Sequence, residues 1–316
     1  MPEAKSRSGV YVSTQGLVAL EGHARDLRFV QKAKSHQQLE GRMQSSMRGR
    51  GLTFEELRNY LPGDDIRSID WRVTARTNKP VVRVYSEEKE RPALIIVDQR
   101  LNMFFGSRLS MKSVTAAEAA LLCAWRILGS GDRVGGFVFN DVQTDDVKPH
   151  RSRNAVIAFA DKVARQNEAL SAASTTPTKP TQLDEVLRTV CNIAHHDHLV
   201  IVISDFDGHS DQTRDMLLQL SARNDVICLL VYDPFLLELP KSGEIIVSGG
   251  GMQVELALRQ NTLRQSIGNF ARERGRELRA WQRDLGLPML PVSAANETAP
   301  QLRHLLEQSA WRQRRR

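Results

Sequence analysis

Short apolar runs alternate with amphipathic segments through most of the chain. The apolar runs, each about the length of one strand, cover residues 93–97, 134–139, 199–203, 226–232 and 289–292. Apolar positions at helical spacing occupy residues 111–128, 154–165, 182–195, 212–222, 260–285 and 300–310. Strands that lack a polar face and are separated by helices are typical of a parallel sheet covered on both sides. The pattern predicts an α/β fold with a doubly wound, mostly parallel sheet.

The first 92 residues follow a different pattern. Leu17, Leu20, Ala24 and Leu27 have helical spacing, residues 37–51 are rich in Gln, Ser, Gly and Arg, and residues 81–85 have the composition of a strand. We therefore predict an accessory region over residues 1–92, an α/β domain over 93–311 and a tail over 312–316. Between the last two predicted strands, residues 245–256 suit a hairpin that turns at three glycines. Those glycines lack the Gly-Lys-Ser/Thr ending of a phosphate-binding loop.

The positive charge of the protein is concentrated at its ends. The 316 residues have a net charge of +7 and a pI near 9.5. Residues 1–92 carry +5, residues 93–311 carry −2, and the last five residues carry +4. Because the central region is nearly neutral and does not interleave aromatic with basic residues, we expect no nucleic-acid partner. The basic tail suits either a solvated end or a contact with an anionic surface.

The cysteines and the hydropathy pattern bear on location. Cys123, Cys191 and Cys228 lie far apart in apolar or helical segments, without metal-ligand spacing, which favours free thiols in a reducing compartment. No apolar run is long enough for a membrane helix, and the N-terminus lacks the pattern of a signal peptide. We expect a cytoplasmic protein that reaches the inner membrane only through partners.

Two predicted strands end in a carboxylate. Residues 95–97 lead into Asp98, and residues 200–204 lead into Asp205. In a doubly wound sheet the carboxyl ends of the strands form the site, and paired carboxylates suit a hard cation such as Mg²⁺. A carboxylate at a strand end also commonly caps the next helix or loop. The pattern alone leaves both interpretations open.

Residues 51–76, GLTFEELRNYLPGDDIRSIDWRVTAR, carry a signature in fixed register. They closely resemble the bacterial MoxR-associated family of von Willebrand A-like proteins, known as domain of unknown function fifty-eight. Residues 131–135 (GDRVG) and 204–206 (SDF) are also similar to that family. The signature residues we single out are Arg58, Tyr60, Gly63, Asp64, Asp65, Arg67, Asp70, Trp71 and Arg76.

The resemblance implies a von Willebrand A fold, with a small N-terminal accessory segment, and a MoxR-type AAA+ ATPase as partner. It also implies a metal-ion-dependent adhesion site, in which an Asp-x-Ser-x-Ser motif, a Thr and a further Asp hold Mg²⁺. Carried onto this chain, the two aspartates match Asp98 and Asp205, and the threonine matches Thr181. The two serines do not match, because Arg100 and Asn102 stand in their places.

The arginine changes what this site can hold. A guanidinium beside the expected cation position repels Mg²⁺, and two hydroxyl ligands are missing. We therefore expect Arg100 to pair with Asp98 or Asp205 and no metal to bind. The alternative is a weak Mg²⁺ site formed by Asp98, Asn102, Thr181 and Asp205. Thr181 also has a structural interpretation, because Thr181-x-x-Asp184 resembles a helix capping box.

The signature suits two roles. Its alternating charges around Tyr60 and Trp71 favour an ion-pair network that holds a small unit together. The same residues also suit a docking surface for the ATPase. The residue pattern alone leaves both roles open.

We expect a non-enzymatic adaptor in a chaperone-like system that matures metalloenzymes or membrane complexes. The crevice around Asp98, Arg100, Asn102, Thr181 and Asp205 is the expected contact, and other von Willebrand A proteins at the membrane are further expected partners. An alternative comes from residues 203–208 (ISDFDG), which resemble the first motif of haloacid-dehalogenase-type phosphatases and would use Asp205 and Asp207. The histidines at 195, 196 and 198 are attributed to a polar helix end rather than to a metal cluster.

Overall fold

The computed structural model describes residues 9–27, 52–87, 91–236, 244–249, 252–257 and 261–313. They form two compact units: a small unit of residues 52–87, and a main unit that holds residues 9–27 and the described residues from Arg91 onward. Residues 9–27 therefore do not belong with the predicted accessory region. Leu17, Ala24 and Leu27 are buried in the core of the main unit instead. The Gln-rich segment at 37–51 and the last three arginines lie outside the described residues.

The elements follow one another in the order that the hydrophobic pattern predicts. The helices are α1 (Thr14–Ala19), α2 (Glu21–Ala24), α3 (Trp71–Thr77), α4 (Lys112–Gly129), α5 (Arg153–Glu168), α6 (Gln182–Ile193), α7 (Asp211–Arg223), α8 (Asn261–Asp284) and α9 (Thr298–Gln313). The strands are β1 (Leu52–Asn59), β2 (Val81–Glu87), β3 (Pro92–Asp98), β4 (Arg133–Phe139), β5 (Thr144–His150), β6 (Leu199–Ser204), β7 (Asp225–Tyr232), β8 (Glu244–Gly249), β9 (Met252–Ala257) and β10 (Met289–Ser293).

A six-stranded sheet forms the centre of the main unit, in the order β10-β7-β6-β3-β4-β5. Every neighbouring pair is parallel except β4 and β5, which are antiparallel. The chain starts in the middle of the sheet at β3, extends it to one edge and then returns to add β6 on the other side of β3. This is the doubly wound, mostly parallel α/β class predicted from the sequence, and that prediction is confirmed.

The sheet is buried on both faces, which explains the continuous apolar runs. On β3, Ile95 and Val97 pack into the hydrophobic cluster formed with α4, α5 and α9, whereas Leu94 and Ile96 pack into the opposite cluster with α6, α7 and α8. Successive side chains of a strand point to opposite faces, so each face of this strand needs its own apolar residues.

The pattern missed one strand of the six-stranded sheet. β5 has the sequence TDDVKPH, and its residues alternate between exposed and half-buried positions at the edge of the sheet. It lacks an apolar run because only every second residue of this edge strand is half-buried and the others face solvent. Its partner β4 carries Gly135 and Gly136 at a register shift, where a Cβ at Gly135 would lie 2.2 Å from the Val147 carbonyl oxygen. The two glycines let the strands approach closely.

Two antiparallel strand pairs in the described part of the chain lie outside the six-stranded sheet. In the small unit, β1 and β2 pair antiparallel. Asp70 caps the start of α3, because its carboxylate accepts hydrogen bonds from the amides of Arg72 and Val73. β8 and β9 also pair antiparallel, which confirms the predicted hairpin. Among the described residues, no helix combines the length and the apolar character needed to cross a bilayer.

Candidate functional site

The two strand-end carboxylates lie at the carboxyl edge of the sheet, where the strand order reverses. β3 and β6 are parallel neighbours, with Val97 beside Ile203. Asp98 and Asp205 therefore follow at the same edge, in the place where doubly wound sheets bind ligands. Both are withdrawn from solvent, since Asp98 is 0% and Asp205 is 5% exposed.

Arg100 forms a buried ion pair with Asp98. Its Nη2 lies 2.7 Å from Asp98 Oδ2 and its Nε lies 3.0 Å from Oδ1, so the guanidinium and carboxylate form a two-pronged pair. Ser204 donates its hydroxyl to Asp98 Oδ2 at 2.6 Å. Burial would lower the pKa of Arg100, but the Asp98 carboxylate outweighs it and holds that pKa above its ordinary value. Arg100 was expected to pair with Asp98 or Asp205, and the structure shows that its partner is Asp98.

The same arginine joins several loops. Its Nη1 donates to the Pro180 carbonyl at 3.1 Å, and its Nη2 donates to the Asp207 carbonyl at 3.0 Å. The guanidinium carbon lies 5.5 Å from the centre of the Phe139 ring. Arg100 is only 1% exposed, so it acts inside the edge, linking the loop after β3 to the start of α6 and the turn after β6.

Asp205 is held by a second internal cation. Lys112, the first residue of α4, lies with its Nζ 2.5 Å from Asp205 Oδ2. Asn102 donates its side-chain amide to Oδ1 at 2.8 Å, and the Asp207 amide donates to the same oxygen at 2.9 Å. Burial alone would raise the pKa of Asp205, but the nearby charges, chiefly Lys112, bring it below its usual value. Both carboxylate oxygens are therefore occupied.

α8 reaches this edge through Arg274. Its guanidinium pairs with the Asp207 carboxylate, two residues beyond Asp205. Arg274 is partly buried, and burial is the main reason that its pKa falls below the ordinary arginine value. The edge thus contains a row of three ion pairs between acidic and basic side chains. Its members are Asp98, Arg100, Lys112, Asp205, Asp207 and Arg274.

Thr181 lies at the rim of the edge rather than in this row. It is exposed, precedes α6, and its side chain makes no capping hydrogen bond. The capping-box interpretation is therefore wrong. The reason is that Asp184 binds elsewhere: it accepts hydrogen bonds from the hydroxyls of Ser210 and Thr213 at the start of α7.

The residues of this edge do not fit the Mg²⁺ that the von Willebrand A resemblance implies. Mg²⁺ needs free oxygen ligands in near-octahedral geometry, but the oxygens of Asp98 and Asp205 already accept hydrogen bonds from Arg100, Ser204, Lys112, Asn102 and the Asp207 amide. Two fixed positive charges also stand beside the carboxylates, and they would repel a divalent ion strongly in a buried setting. Arg100 and Lys112 together supply the charge that a divalent cation would bring.

Sequence reasoning found part of this cluster. The structure brings Asp98, Arg100, Asn102 and Asp205 together as predicted, while Thr181 stands apart from their hydrogen bonds. Lys112 and Arg274 were missed. A lysine in the first turn of a helix opposes the helix dipole, and that unusual position was the available signal for Lys112. No local pattern marks Arg274, which meets Asp207 from 67 positions away.

Asp141 is a further residue that the sequence analysis did not single out. One of its oxygens accepts from the Leu101 amide and the other from the Lys179 amide, each at 2.7 Å. It thereby fastens the loop after β3 to the segment that precedes α6. An acidic residue in a turn after a strand has no distinctive pattern, so only the fold reveals this role.

The other predicted features lie away from this edge. His196 contacts Asp197 at 3.0 Å in an exposed turn between α6 and β6, and within the described residues no group of three or more His, Cys, Asp or Glu side chains is placed to bind a metal. In the small unit, the signature contains an ion pair of Arg58 with Asp64, at 2.7 Å. Asp70 pairs with Arg83 in the same unit, also at 2.7 Å.

Comparisons with known proteins place the chain in a family. Uncharacterized protein Mb1516 of Mycobacterium bovis and uncharacterized protein Rv1480 of Mycobacterium tuberculosis are each 27% identical to it over 274 residues, covering 85% of this chain and 83% of theirs. The crystal structure of the conserved hypothetical protein BatB from Bacteroides thetaiotaomicron covers 72% of this chain and all of its own, with a TM-score of 0.41 and 14% identity. The family described as "Protein of unknown function DUF58" matches residues 56–277. This match extends over more than half of the chain and through both units, and the protein therefore belongs to the DUF58 family, as the signature at 51–76 predicts.

Proposed function

We propose that this protein is a non-enzymatic adaptor that binds a MoxR-type AAA+ ATPase at the carboxyl edge of its main sheet. The observation that carries the proposal is the internal neutralisation of Asp98 and Asp205 by Arg100 and Lys112. An edge of this kind offers a fixed shape for recognition and has no open position for a metal. The proposal also rests on the similarity of the signature to a MoxR-associated family.

The buried charges act indirectly in this proposal. Asp98, Arg100 and Asp205 are too buried to touch a partner, so their role is to hold the surrounding loops in place. The half-buried Asn102 and the exposed Thr181 lie at the rim and are the members of the predicted crevice that a partner can reach. A rigid rim lowers the entropy cost of binding because its loops are already ordered.

The cellular role extends this proposal. The ATPase and this adaptor would form a chaperone-like assembly for the maturation of metalloenzymes or membrane complexes, in which other von Willebrand A proteins at the membrane are further partners. We place the adaptor in the cytoplasm and at the inner membrane through those partners. No nucleic acid and no cofactor take part in this function.

The rival function is an Mg²⁺-dependent phosphatase that uses Asp205 and Asp207. A nucleophilic carboxylate needs an oxygen free for attack, whereas both oxygens of Asp205 accept hydrogen bonds and the residue is almost fully buried. Asp207 is paired with Arg274. These contacts favour the adaptor. A phosphatase assay with a chromogenic phosphomonoester tests the rival directly, and turnover that disappears in Asp205→Asn would support the enzyme.

The adaptor itself is tested by co-purification with a MoxR-type ATPase from the same genome. We expect the complex to form equally well in the presence and absence of EDTA, which removes free Mg²⁺, as long as the ATPase itself remains folded in EDTA. Thr181→Arg places a bulky charge on the rim and should weaken the complex at least about tenfold. Thr189→Arg, at an exposed position within α6, is the matched control. A complex unaffected by Thr181→Arg would exclude the rim, and no complex at all would exclude the function.

A further inference from the structure

We propose that the exposed face of α3 in the small unit is a docking surface for an acidic segment of a protein partner. We call it the α3 face and define it by Trp71, Arg72, Ala75 and Arg76. The inference deepens the proposed function and rests on it in one respect: the ATPase is the expected source of the acidic segment.

Helix geometry places these four residues together. Positions 71, 72, 75 and 76 lie on one side of a helix with 3.6 residues per turn, and all four are exposed. The opposite side holds the half-buried Val73 and Thr74, and the Thr74 hydroxyl accepts a hydrogen bond from the Val81 amide at 3.1 Å. α3 therefore attaches to β2 through one side and presents the other to solvent.

Trp71 is the main reason to regard the outer side as a binding surface. Its side chain is 64% exposed, although the indole is large and its burial elsewhere in the protein would be favourable. Three further large apolar residues of the same unit are exposed, Leu57 at 42%, Leu61 at 59% and Ile66 at 62%. Exposed apolar groups concentrated in one small unit commonly mark an interaction site.

The acidic residues of the signature are used inside the unit. Asp64 accepts two hydrogen bonds from the Arg58 guanidinium, at 2.7 and 2.8 Å, and one from the Leu61 amide at 2.8 Å. Asp70 caps α3 and pairs with Arg83. These contacts hold the pKa of Asp64 below its ordinary value through Arg58, and that of Asp70 below its own through Arg83. These contacts support the first role considered for the signature, an ion-pair network that holds the small unit together.

Among the described residues, no such partner is found for the basic residues of the α3 face. Arg72 and Arg76 make no side-chain ion pair or hydrogen bond within the described residues, and the same is true of the nearby exposed Arg67. Asp64 and Asp70 thus pair with arginines inside the unit, while Arg72 and Arg76 remain available. A tryptophan flanked by unpaired arginines has the composition of a binding hot spot, and its charge is complementary to an acidic segment.

A protein segment suits this surface better than a bilayer. Helices that lie on membranes bury a long apolar face, whereas α3 has seven residues and one large apolar side chain on its exposed side. Arginine can also form two-pronged hydrogen bonds with carboxylates, which gives specificity for Asp and Glu.

The test measures binding of a purified MoxR-type ATPase from the same genome to the full chain. The patch variants are Trp71→Ala and Arg72→Glu/Arg76→Glu. Their controls are Leu218→Ala and Lys148→Glu/Arg165→Glu, which alter exposed residues of the main unit. We expect each patch variant to bind at least about tenfold more weakly, while the controls bind like the parent. Arg72→Lys/Arg76→Lys keeps the charge but loses the two-pronged hydrogen bonds, so its affinity should lie between those of the parent and of Arg72→Glu/Arg76→Glu. Urea unfolding of each patch variant separates lost binding from lost folding.

The remaining outcomes separate this inference from the proposed function. Equal binding by parent and patch variants would overturn the α3 face and leave the adaptor function intact. If the ATPase does not bind the parent, the function fails, and a labelled peptide of alternating Glu and Leu then decides the inference: binding that weakens in the patch variants supports it, and no binding overturns it. Binding to phosphatidylglycerol vesicles that is lost in the patch variants, without protein or peptide binding, would replace the acidic segment with a membrane surface.

Discussion

Lys112 places its ammonium group 2.5 Å from the Asp205 carboxylate, and the two side chains are only 7% and 6% exposed. The lysine opens α4, and the aspartate follows β6, so the pair joins a helix to the neighbouring strand end. A buried pair of this kind adds little net stability compared with apolar residues, but removal of one partner leaves a charge buried without compensation.

Lys112→Met should therefore destabilise the protein by about 3–5 kcal/mol. The methionine keeps most of the side-chain volume, so the loss reports the unpaired Asp205 carboxylate. Urea unfolding at neutral pH measures it. The double variant Lys112→Met/Asp205→Asn should recover part of the loss, because the buried negative charge is gone. A double variant as unstable as the sum of the single variants would show that the two residues do not interact.

The stability of the protein should depend on Asp205 in acid. Its pKa in the folded protein lies below the ordinary value because Lys112 and the nearby arginines outweigh burial. Its contribution to stability is thus complete above the pKa of the unfolded chain, about 3.9, and is lost as the pH falls toward the lowered folded pKa. The free energy of unfolding of the parent should exceed that of Asp205→Asn at pH 7, and the gap should narrow below about pH 4. A gap that stays constant with pH would contradict the assignment.

Magnesium should not stabilise the parent, but it should stabilise a variant without the two internal cations. Arg100→Ser/Lys112→Met leaves the carboxylates of Asp98 and Asp205 beside hydroxyl and amide oxygens, which are ligands that Mg²⁺ accepts. We expect the melting temperature of this variant to rise with added MgCl₂ and to fall with EDTA. The single variant Arg100→Ser should respond less, because Lys112 remains. A melting temperature of the parent that rises with MgCl₂ would show that a divalent ion competes with Arg100 and Lys112.

The turn after β6 should require glycine at position 208. Gly208 has a φ of +71°, and a Cβ there would lie 2.5 Å from the Pro180 Cβ, in the segment that accepts a hydrogen bond from Arg100. Gly208→Ala should cost about 1–3 kcal/mol through backbone strain and this clash. Gly129→Ala is the matched control, since it ends α4 with no atom within 4 Å of the added methyl group, and it should be neutral or slightly stabilising. Chemical denaturation compares the two, and similar values would refute the strain argument.

The fold was predictable because strands that are buried on both faces appear in the sequence as continuous apolar runs. β3 and β6 appear as apolar runs that end at Asp98 and Asp205. The sequence also predicted that Arg100 pairs with one of these two carboxylates, and the structure shows that it is Asp98. β5 was missed because an edge strand of alternating exposure carries little apolar signal.

The rest of the site was not predictable, because it depends on contacts between distant parts of the chain. Lys112 reaches Asp205 across 93 positions, and Arg274 reaches Asp207 across 67. The position of Lys112 in the first turn of a helix is a local signal, but nothing local distinguishes Arg274 from the many other basic side chains in the sequence.

The replacement of a cation by Arg100 and Lys112 has a mechanical consequence. A bound ion can dissociate, and an edge built around it loosens when the ion is withdrawn. Here the positive charges are covalently part of the chain, and Arg100 also donates hydrogen bonds to the carbonyls of Pro180 and Asp207. At neutral pH, separating these loops requires several buried or partly buried hydrogen bonds to break at once. Any process that opens this edge must therefore exert force on the protein, and chelation of an ion will not achieve it.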